Sequence, residues 1–323
     1  MGRLPVLRNL DLVRNIRALR RLLHDRGFRR PLVWHSFPYD SERLLEAIDS
    51  KCLVYHCLDR TAQVQEEARI VKRADAVFCV SETLVAKHKL LNPQTYLLPN
   101  GIDLGVFDRD RATRSRRPAD LPASGRVIGF VGQINYHLDI ELLLEVAEHY
   151  SDATLMVIGK LSTRETAPTP RQLDALDRLR RRDNVRLVGF KRPGTLPAYI
   201  HAFDVCLIPF LEDPYNQERD PLKFYEYASL GKPIVTTDVP VAWRYPNLCH
   251  RASTHAHFIE LISRAFDGSR SAEHERARLA LVRSHGWASL LTNACQSLRQ
   301  PRMPHGVHRT GPLANRIPEQ RAE

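Results

Sequence analysis

Short apolar runs alternate with longer amphipathic stretches along most of this chain, and that alternation limits the folds open to it. The runs "RVIGFVG" (126–132), "ATLMVIG" (153–159), "NVRLVGF" (184–190) and "DVCLIPF" (204–210) are apolar on both faces of an extended strand, or nearly so. Between them, "IELLLEVAEHY" (140–150), "RQLDALDRLRRR" (171–182) and "TLPAYIHAF" (195–203) repeat their apolar residues at helical spacing. Strands buried on both faces belong in a parallel sheet with helices on each side. A shorter series comes first: "RPLVWHSF" (30–37), "KCLVYHCL" (51–58) and "DAVFCVS" (75–81) read as strands, separated by the helices "SERLLEAI" and "EEARIVKRA". Ser81 is a natural N-cap for the helix "SETLVAKHKLL" that follows.

The two series give an α/β chain of two Rossmann-like domains. The boundaries expected are a first domain at 1–107, a linker at 108–125, a second domain at 126–300 and a disordered tail at 301–323. The linker "DRDRATRSRRPADLPASG" has no apolar period, and the tail holds four prolines. The first series opens on a long basic helix over 7–26 where another strand is expected, so the first domain reads as short of some βα units.

A length of 323 residues accommodates two such domains, and 43% hydrophobic with 26% charged residues suits a globular chain. No apolar run approaches the roughly 18 to 20 residues of a membrane span, and the start "MGRLPVLRNL" lacks a signal-peptide core, so the expected location is cytoplasmic. The six cysteines form no C-x-x-C pair and read as buried free thiols. The net charge of +11 is confined to three places: residues 1–30, 105–126 and 297–323 carry +7, +3 and +3, leaving a slightly acidic body. A nucleic-acid face needs basic residues converging on a reading element, and no helix-turn-helix, zinc-finger or aromatic stacking signature is present, so nucleic acid is not an expected partner. The 7–26 helix, with Arg14, Arg17, Arg20 and Arg21 largely opposite its apolar face, is either a surface helix packed on a sheet or a weak contact for an anionic membrane.

In open parallel sheets, ligands bind beyond the carboxyl ends of the strands. Gly132 directly follows one strand and lets backbone amides approach a ligand. Gly189 with Phe190 follows another, offering backbone groups and a ring to a flat base, although either glycine also suits an ordinary turn. The segment "DPLKFYEYASLGKPIVTT" (220–237) specifies a short helix, with Asp220 as N-cap, Pro221 at the first position, Gly231 after the end and Pro233 beyond it. Lys223 and Glu226 then share one face near its start. They form a solvent-exposed ion pair or, if that face borders a cleft, Lys223 meets a phosphate and Glu226 accepts from the two hydroxyls of a ribose. His35, Asp59 and Ser81 lie at strand ends facing the cleft in the first domain, the acceptor side, where His35 and Ser81 are candidate acceptor contacts. Asp59 suits a base or an acceptor-orienting group, and equally a turn or cap.

Glu218 to Glu226 has the spacing E-x7-E. Together with "PLKFYEYASLGKPIV", "DAVFCVS", "LLPNGIDLGVF", "GFVGQI", "VRLVGF" and "AFDVCLIPF", it resembles the GT-B glycosyltransferases of family 4, the glycosyl transferases group 1, especially the polysaccharide and teichuronic-acid branch. The resemblance implies a donor site for a UDP- or GDP-sugar in the second domain, with no other cofactor. Glu226 would hold the ribose, Glu218 the donor hexose, Gly132 the pyrophosphate, Gly189 and Phe190 the base, and Lys223 the phosphates. It also implies a glycan or glycolipid acceptor, retention of configuration and no metal, which leaves the D-x-D at Asp108 and Asp110 a chance match. The chain departs from many relatives after the glycine loop: "GQINYHLDIE" has neutral Gln133 where a cationic clamp is common, and His137 is the only cation-forming side chain there. The competing reading is a non-catalytic nucleotide-sugar-binding or partner module.

Overall fold

The computed structural model describes residues 5–39, 42–163, 165–268 and 272–299. Helix α1 (Pro5–Asp25) leads into a four-stranded parallel sheet, β1 (Leu32–His35), β2 (Cys52–Cys57), β3 (Ala76–Cys79) and β4 (Thr95–Leu97), in consecutive order. Helices α2 (Glu42–Glu46), α3 (Val64–Arg73) and α4 (Glu82–Lys89) connect these strands. The β2 and β3 residues are almost wholly buried, as their unbroken apolar runs require.

The stretch expected to be a linker is more structured than its composition suggested. Asp108 caps a short helix, α5 (Arg109–Arg114), by accepting from the Arg111 amide at 2.6 Å. Ala112 and Leu121 are buried in the core of the second sheet. A few apolar residues among the arginines suffice to anchor this stretch, and a periodicity search passes over them.

The second sheet follows the order β10-β9-β8-β5-β6-β7, with every pairing parallel. Its strands are β5 (Val127–Val131), β6 (Thr154–Ile158), β7 (Val185–Gly189), β8 (Val205–Ile208), β9 (Ile234–Thr236) and β10 (His250–Arg251). They alternate with α6 (Ile140–His149), α7 (Pro170–Arg180), α8 (Leu196–His201), α9 (Leu222–Ser229), α10 (Pro240–Arg244) and α11 (His255–Gly268). From β5 the chain runs outward through β6 and β7, then returns to the other side of β5 as β8. The order therefore reverses between β5 and β8, and a ligand crevice opens beyond their carboxyl ends.

Two closing helices, α12 (Ala272–Ser284) and α13 (Trp287–Arg299), fall within the stretch 126–300 assigned to the second domain. Helix α13 crosses to the first: Leu290 and Ala294 pack against Val54, Ala76, Phe78 and Leu98. The ring of Trp287 fills the space where a Gly101 side chain would stand. The tail 301–323 lies outside the described residues.

Candidate functional site

Helix α9 sits beside the switch point. Phe224, Tyr225 and Tyr227 are completely buried, each stabilising the helix by roughly 1.5–3 kcal/mol through area removed from water. Tyr227 accepts from the Val131 amide at 2.8 Å, which ties α9 to the last residue of β5. At the other end Gly231 is left-handed (φ 70°), the Gly231 amide donates to Ala228 O and the Lys232 amide to Tyr227 O, a paired closure that glycine permits at this position.

The helix start differs from the expectation by one residue. Pro221, not Asp220, is the N-cap, and no side chain caps it. Asp220 is buried and accepts instead from the Asn100 amide at 2.8 Å, from the Tyr225 hydroxyl at 3.0 Å and from Arg244 Nη1 at 3.2 Å. Burial pushes its carboxyl up to about 6, against the pull of Arg244 and of the Asn100 amide. Arg244 also grips Glu82 through Nε and Nη2, both at 2.7 Å, and donates to Val80 O. This knot joins the two sheets, and it needed three distant segments to be seen at once.

The remaining face of α9 carries the expected polar pair. Lys223 Nζ lies 4.7 Å from the Phe130 ring and 4.3 Å from the Phe210 ring, against Gly132. Burial, and then the neighbouring Arg219 guanidinium, hold its ammonium well below the ordinary lysine range, with Glu226 opposing. Burial pushes Glu226 up to about 7, with Lys223 opposing. Among the described residues the Glu226 carboxylate has no hydrogen-bond donor and no ion-pair partner, so it does not make the exposed ion pair with Lys223. Arg219, which sequence reasoning passed over, stands 4.6 Å over Phe210 and 5.1 Å over Tyr215. Neither it nor Lys223 has a carboxylate within 4.0 Å among the described residues. Two adjacent cations on aromatic rings beside an unpaired carboxylate fit a ligand carrying both anionic groups and hydroxyls.

The strand ends opposite α9 are laced together. Gly132 donates to Ile158 O, and Gly159 donates to Gly189 O, each at 2.9 Å. A side chain on Gly159 would fall 1.7 Å from Gly132 O, so only glycine fits. Beside these turns lies a cavity of about 300 Å³ lined by Gly132, Gln133, Lys160, Phe190, Pro193 and Leu196. Phe190 is 58% exposed, with Lys160 Nζ 4.6 Å above its ring. Gly189 is left-handed (φ 68°) and open on its side-chain side. Lys160, at the end of β6, is a further cation that no motif marked.

His137 is buried rather than presented to the glycine loop. Its Nδ1 meets Asp213 Oδ2 at 2.7 Å and its ring stacks on Tyr215 at 4.2 Å.

From the first domain, Asp59 faces Arg219, Tyr215 and His137; desolvation raises its carboxyl pKa and those groups lower it. It caps no helix, since α3 starts at Val64. Glu218 is engaged by the same domain: Arg60 Nη1 donates to Oε1 at 2.8 Å and Lys87 Nζ lies 3.7 Å from Oε2. Ser81 caps α4 as expected, but it is fully buried and its hydroxyl donates to Glu218 O at 2.6 Å. That removes it from the acceptor side. His35 is half-buried, its ring 6.2 Å from that of Tyr55, and burial lowers its pKa.

Comparison with known proteins agrees with this geometry. Residues 125–250 match the family described as "Glycosyl transferases group 1". The chain is 28% identical over 215 residues to TuaH of Bacillus subtilis (strain 168), named as a teichuronic acid biosynthesis glycosyltransferase, covering 64% of this chain and 51% of TuaH. It is 28% identical over 153 residues to a D-inositol 3-phosphate glycosyltransferase of Segniliparus rotundus, covering 45% and 33% of the two chains. The chain thus spans about half, or less, of the length of these curated relatives.

Among solved structures, the sucrose-phosphate synthase of Thermosynechococcus elongatus superposes with a TM-score of 0.69 at 19% identity, over 90% of this chain and 77% of that one. HepE of Anabaena, solved with UDP-glucose, gives 0.68 at 15% identity, over 88% and 81%. The expected likeness to group 1 glycosyltransferases is borne out, and so is the GT-B fold.

Proposed function

We propose that this chain is a glycosyltransferase that moves a hexose from a UDP- or GDP-sugar to a hydroxyl of a glycan or glycolipid acceptor in cell-surface polysaccharide formation. The observation that carries the proposal is the grouping of Lys223, Arg219 and the unpaired Glu226 at the switch point of the second sheet, beside the Phe190 cavity. In this reading the base lies against Phe190, the ribose hydroxyls donate to Glu226, and the diphosphate takes Lys223, Arg219 and the backbone around Gly132. The names of HepE, solved with UDP-glucose, and of TuaH favour a nucleotide-sugar donor and an envelope glycan product.

Chemically, the leaving nucleoside diphosphate gathers negative charge as the glycosidic bond breaks. Cations held at that place by aromatic rings and the protein interior stabilise it without reorganising. Lys223, Arg219 and Lys160 would supply that charge in place of a metal. Asp59, its pKa raised by desolvation, would orient the acceptor hydroxyl or take its proton. Retention of configuration rests on the family resemblance and is read from the anomeric proton of the product.

No helix among the described residues is long and apolar enough to cross a membrane. A working place at the cytoplasmic membrane surface, through weak contact of α1, belongs to the same proposal. Val13 and Leu22 are exposed there among Arg14, Arg17, Arg20 and Arg21, and flotation with anionic vesicles tests it.

The second reading, nucleotide-sugar binding without turnover, is favoured by one observation: Arg60 and Lys87 hold the Glu218 carboxylate that the transfer reading wants near the hexose. Calorimetric titration of wild type and Glu226→Ala with nucleotides and nucleotide-sugars tests the shared premise. Equal binding by both proteins overturns the donor site, and tight binding with no slow hydrolysis or transfer selects the second reading.

A further inference from the structure

Within the first domain, outside the proposed donor residues, four buried polar side chains converge. Cys57 and Cys79 are the last residues of β2 and β3 and are direct cross-strand partners. His88 comes from α4 and Glu67 from α3. The two sulfurs and one His88 ring nitrogen all lie within 4.8 Å of one another. Glu67 Oε1 is 3.4 Å from Cys57 Sγ and 3.5 Å from His88 Nε2. None of the four residues is more than 1% exposed, and Ile70, Val71, Val77, Val80 and Leu84 pack around them.

Polar groups this deep are costly unless satisfied. Glu67 accepts from the Tyr55 hydroxyl at 2.9 Å and from the Cys57 thiol. Neither ring nitrogen of His88 makes a hydrogen bond. Its Nε2 lies 3.5 Å from Glu67 Oε1, a buried ion pair when the ring is protonated, so that pair and a metal ion are the two roles open to the imidazole here.

We propose that Cys57, Cys79 and His88 bind a zinc ion; Glu67, beside Cys57 and His88 but outside the group of atoms mutually within 4.8 Å, would reach the fourth position by a side-chain shift, or water would fill it. Two thiolates, an imidazole nitrogen and a carboxylate oxygen form a tetrahedral zinc set. Bond lengths of about 2.0–2.3 Å place such ligand atoms roughly 3.3–3.8 Å apart, so the three atoms, mutually within 4.8 Å here, need close in by no more than about 1.5 Å. The charge also balances. Zinc neutralises the two thiolates, whose protons leave to solvent on binding, and Lys87 Nζ, 3.9 Å from Glu67 Oε2, answers the carboxylate. The ion would pin β2, β3, α3 and α4 together beneath the Ser81 and Glu218 contact. A disulfide between the two cysteines would use both sulfurs and leave His88 as it is.

The test uses the full chain, purified under reducing conditions and stripped with a chelator. Cobalt(II) added to it should give, at one equivalent, the thiolate charge-transfer band and the intense visible bands of a tetrahedral site. Zinc should bleach those bands with the same stoichiometry and raise the thermal midpoint. Cys79→Ser and His88→Gln should each weaken the bands, while Cys295→Ser, at an exposed thiol outside the cluster, should leave them intact. A wild-type protein without these bands at stoichiometric cobalt overturns the proposal whether or not the variants fold. So do bands that survive Cys57→Ser, or a Cys57–Cys79 disulfide that persists in freshly purified reduced protein.

Discussion

A methyl group on Gly132 would stand 2.7 Å from the Nζ of Lys223. The glycine loop after β5 and the cationic face of α9 therefore compete for one space, and the two must be read as parts of the same site. Gly132→Ala should swing the Lys223 side chain aside and strain the backbone, whose φ of 157° an L-residue rarely adopts, at a stability cost of about 1–3 kcal/mol. Affinity for a nucleoside diphosphate should nevertheless fall, as calorimetry would register. Gly159→Ala is a sharper change, since its new carbon would meet the Gly132 carbonyl at 1.7 Å. It should lower the thermal midpoint and abolish binding together.

Arg219 offers a test of charge placement. Arg219→Ala should weaken binding of a nucleoside diphosphate by about ten- to hundredfold, the worth of one charge-assisted contact. Binding of the nucleoside alone should change little. Equal loss for both ligands would mean that Arg219 shapes the pocket through its stacking on Phe210 and Tyr215 instead.

Glu226 links the site to stability through pH. Burial raises its folded pKa from 4.5 to about 7, so the folded chain holds that proton more tightly than the unfolded chain. Its contribution is absent below about pH 4.5, grows more destabilising as pH rises towards 7, and is complete above that. Glu226→Gln should therefore stabilise the protein at about pH 8 by on the order of 1–3 kcal/mol, and have little effect near pH 4. Urea unfolding at the two pH values checks this. A variant less stable than wild type at the higher pH would show that the carboxylate is already well paired.

The joint between the domains rests on Arg244. Its partner Asp220 is 3% exposed, so Arg244→Ala leaves a buried carboxylate without its cation and should cost about 3–5 kcal/mol. The Glu82 side chain is 54% exposed, and Glu82→Gln should cost about 1 kcal/mol or less. Adding Asp220→Asn to Arg244→Ala should restore part of the loss, which differential scanning calorimetry would measure.

What the sequence made legible follows the range of the interactions. The strands of the second sheet, the α9 segment and its Gly231 stop were readable because each depends on neighbours a few residues away. Lys223 and Gly132 were each expected at the phosphates on the family resemblance, and their contact with each other emerges only in the fold. Asp220 looked like a helix cap because nothing local reveals Asn100 and Arg244 folded against it. Arg219 and Lys160 carried no motif, and only their seats on Phe210 and Phe190 mark them out. His137 seemed the available cation after the glycine loop until Asp213, far along the chain, was found holding it. The Cys57, Cys79, His88 and Glu67 cluster shows no metal-binding spacing, because strand pairing and two separate helices assemble it.

In the proposed donor site Glu226 receives the ribose of a nucleotide. The most direct measurement compares UDP and GDP with their 2′,3′-dideoxy forms, by calorimetry on wild type and Glu226→Ala. Wild type should prefer the ribose form of its cognate nucleotide by about tenfold or more, and the variant should lose this preference while still binding weakly through Lys223 and Arg219. The same preference in both proteins would contradict it.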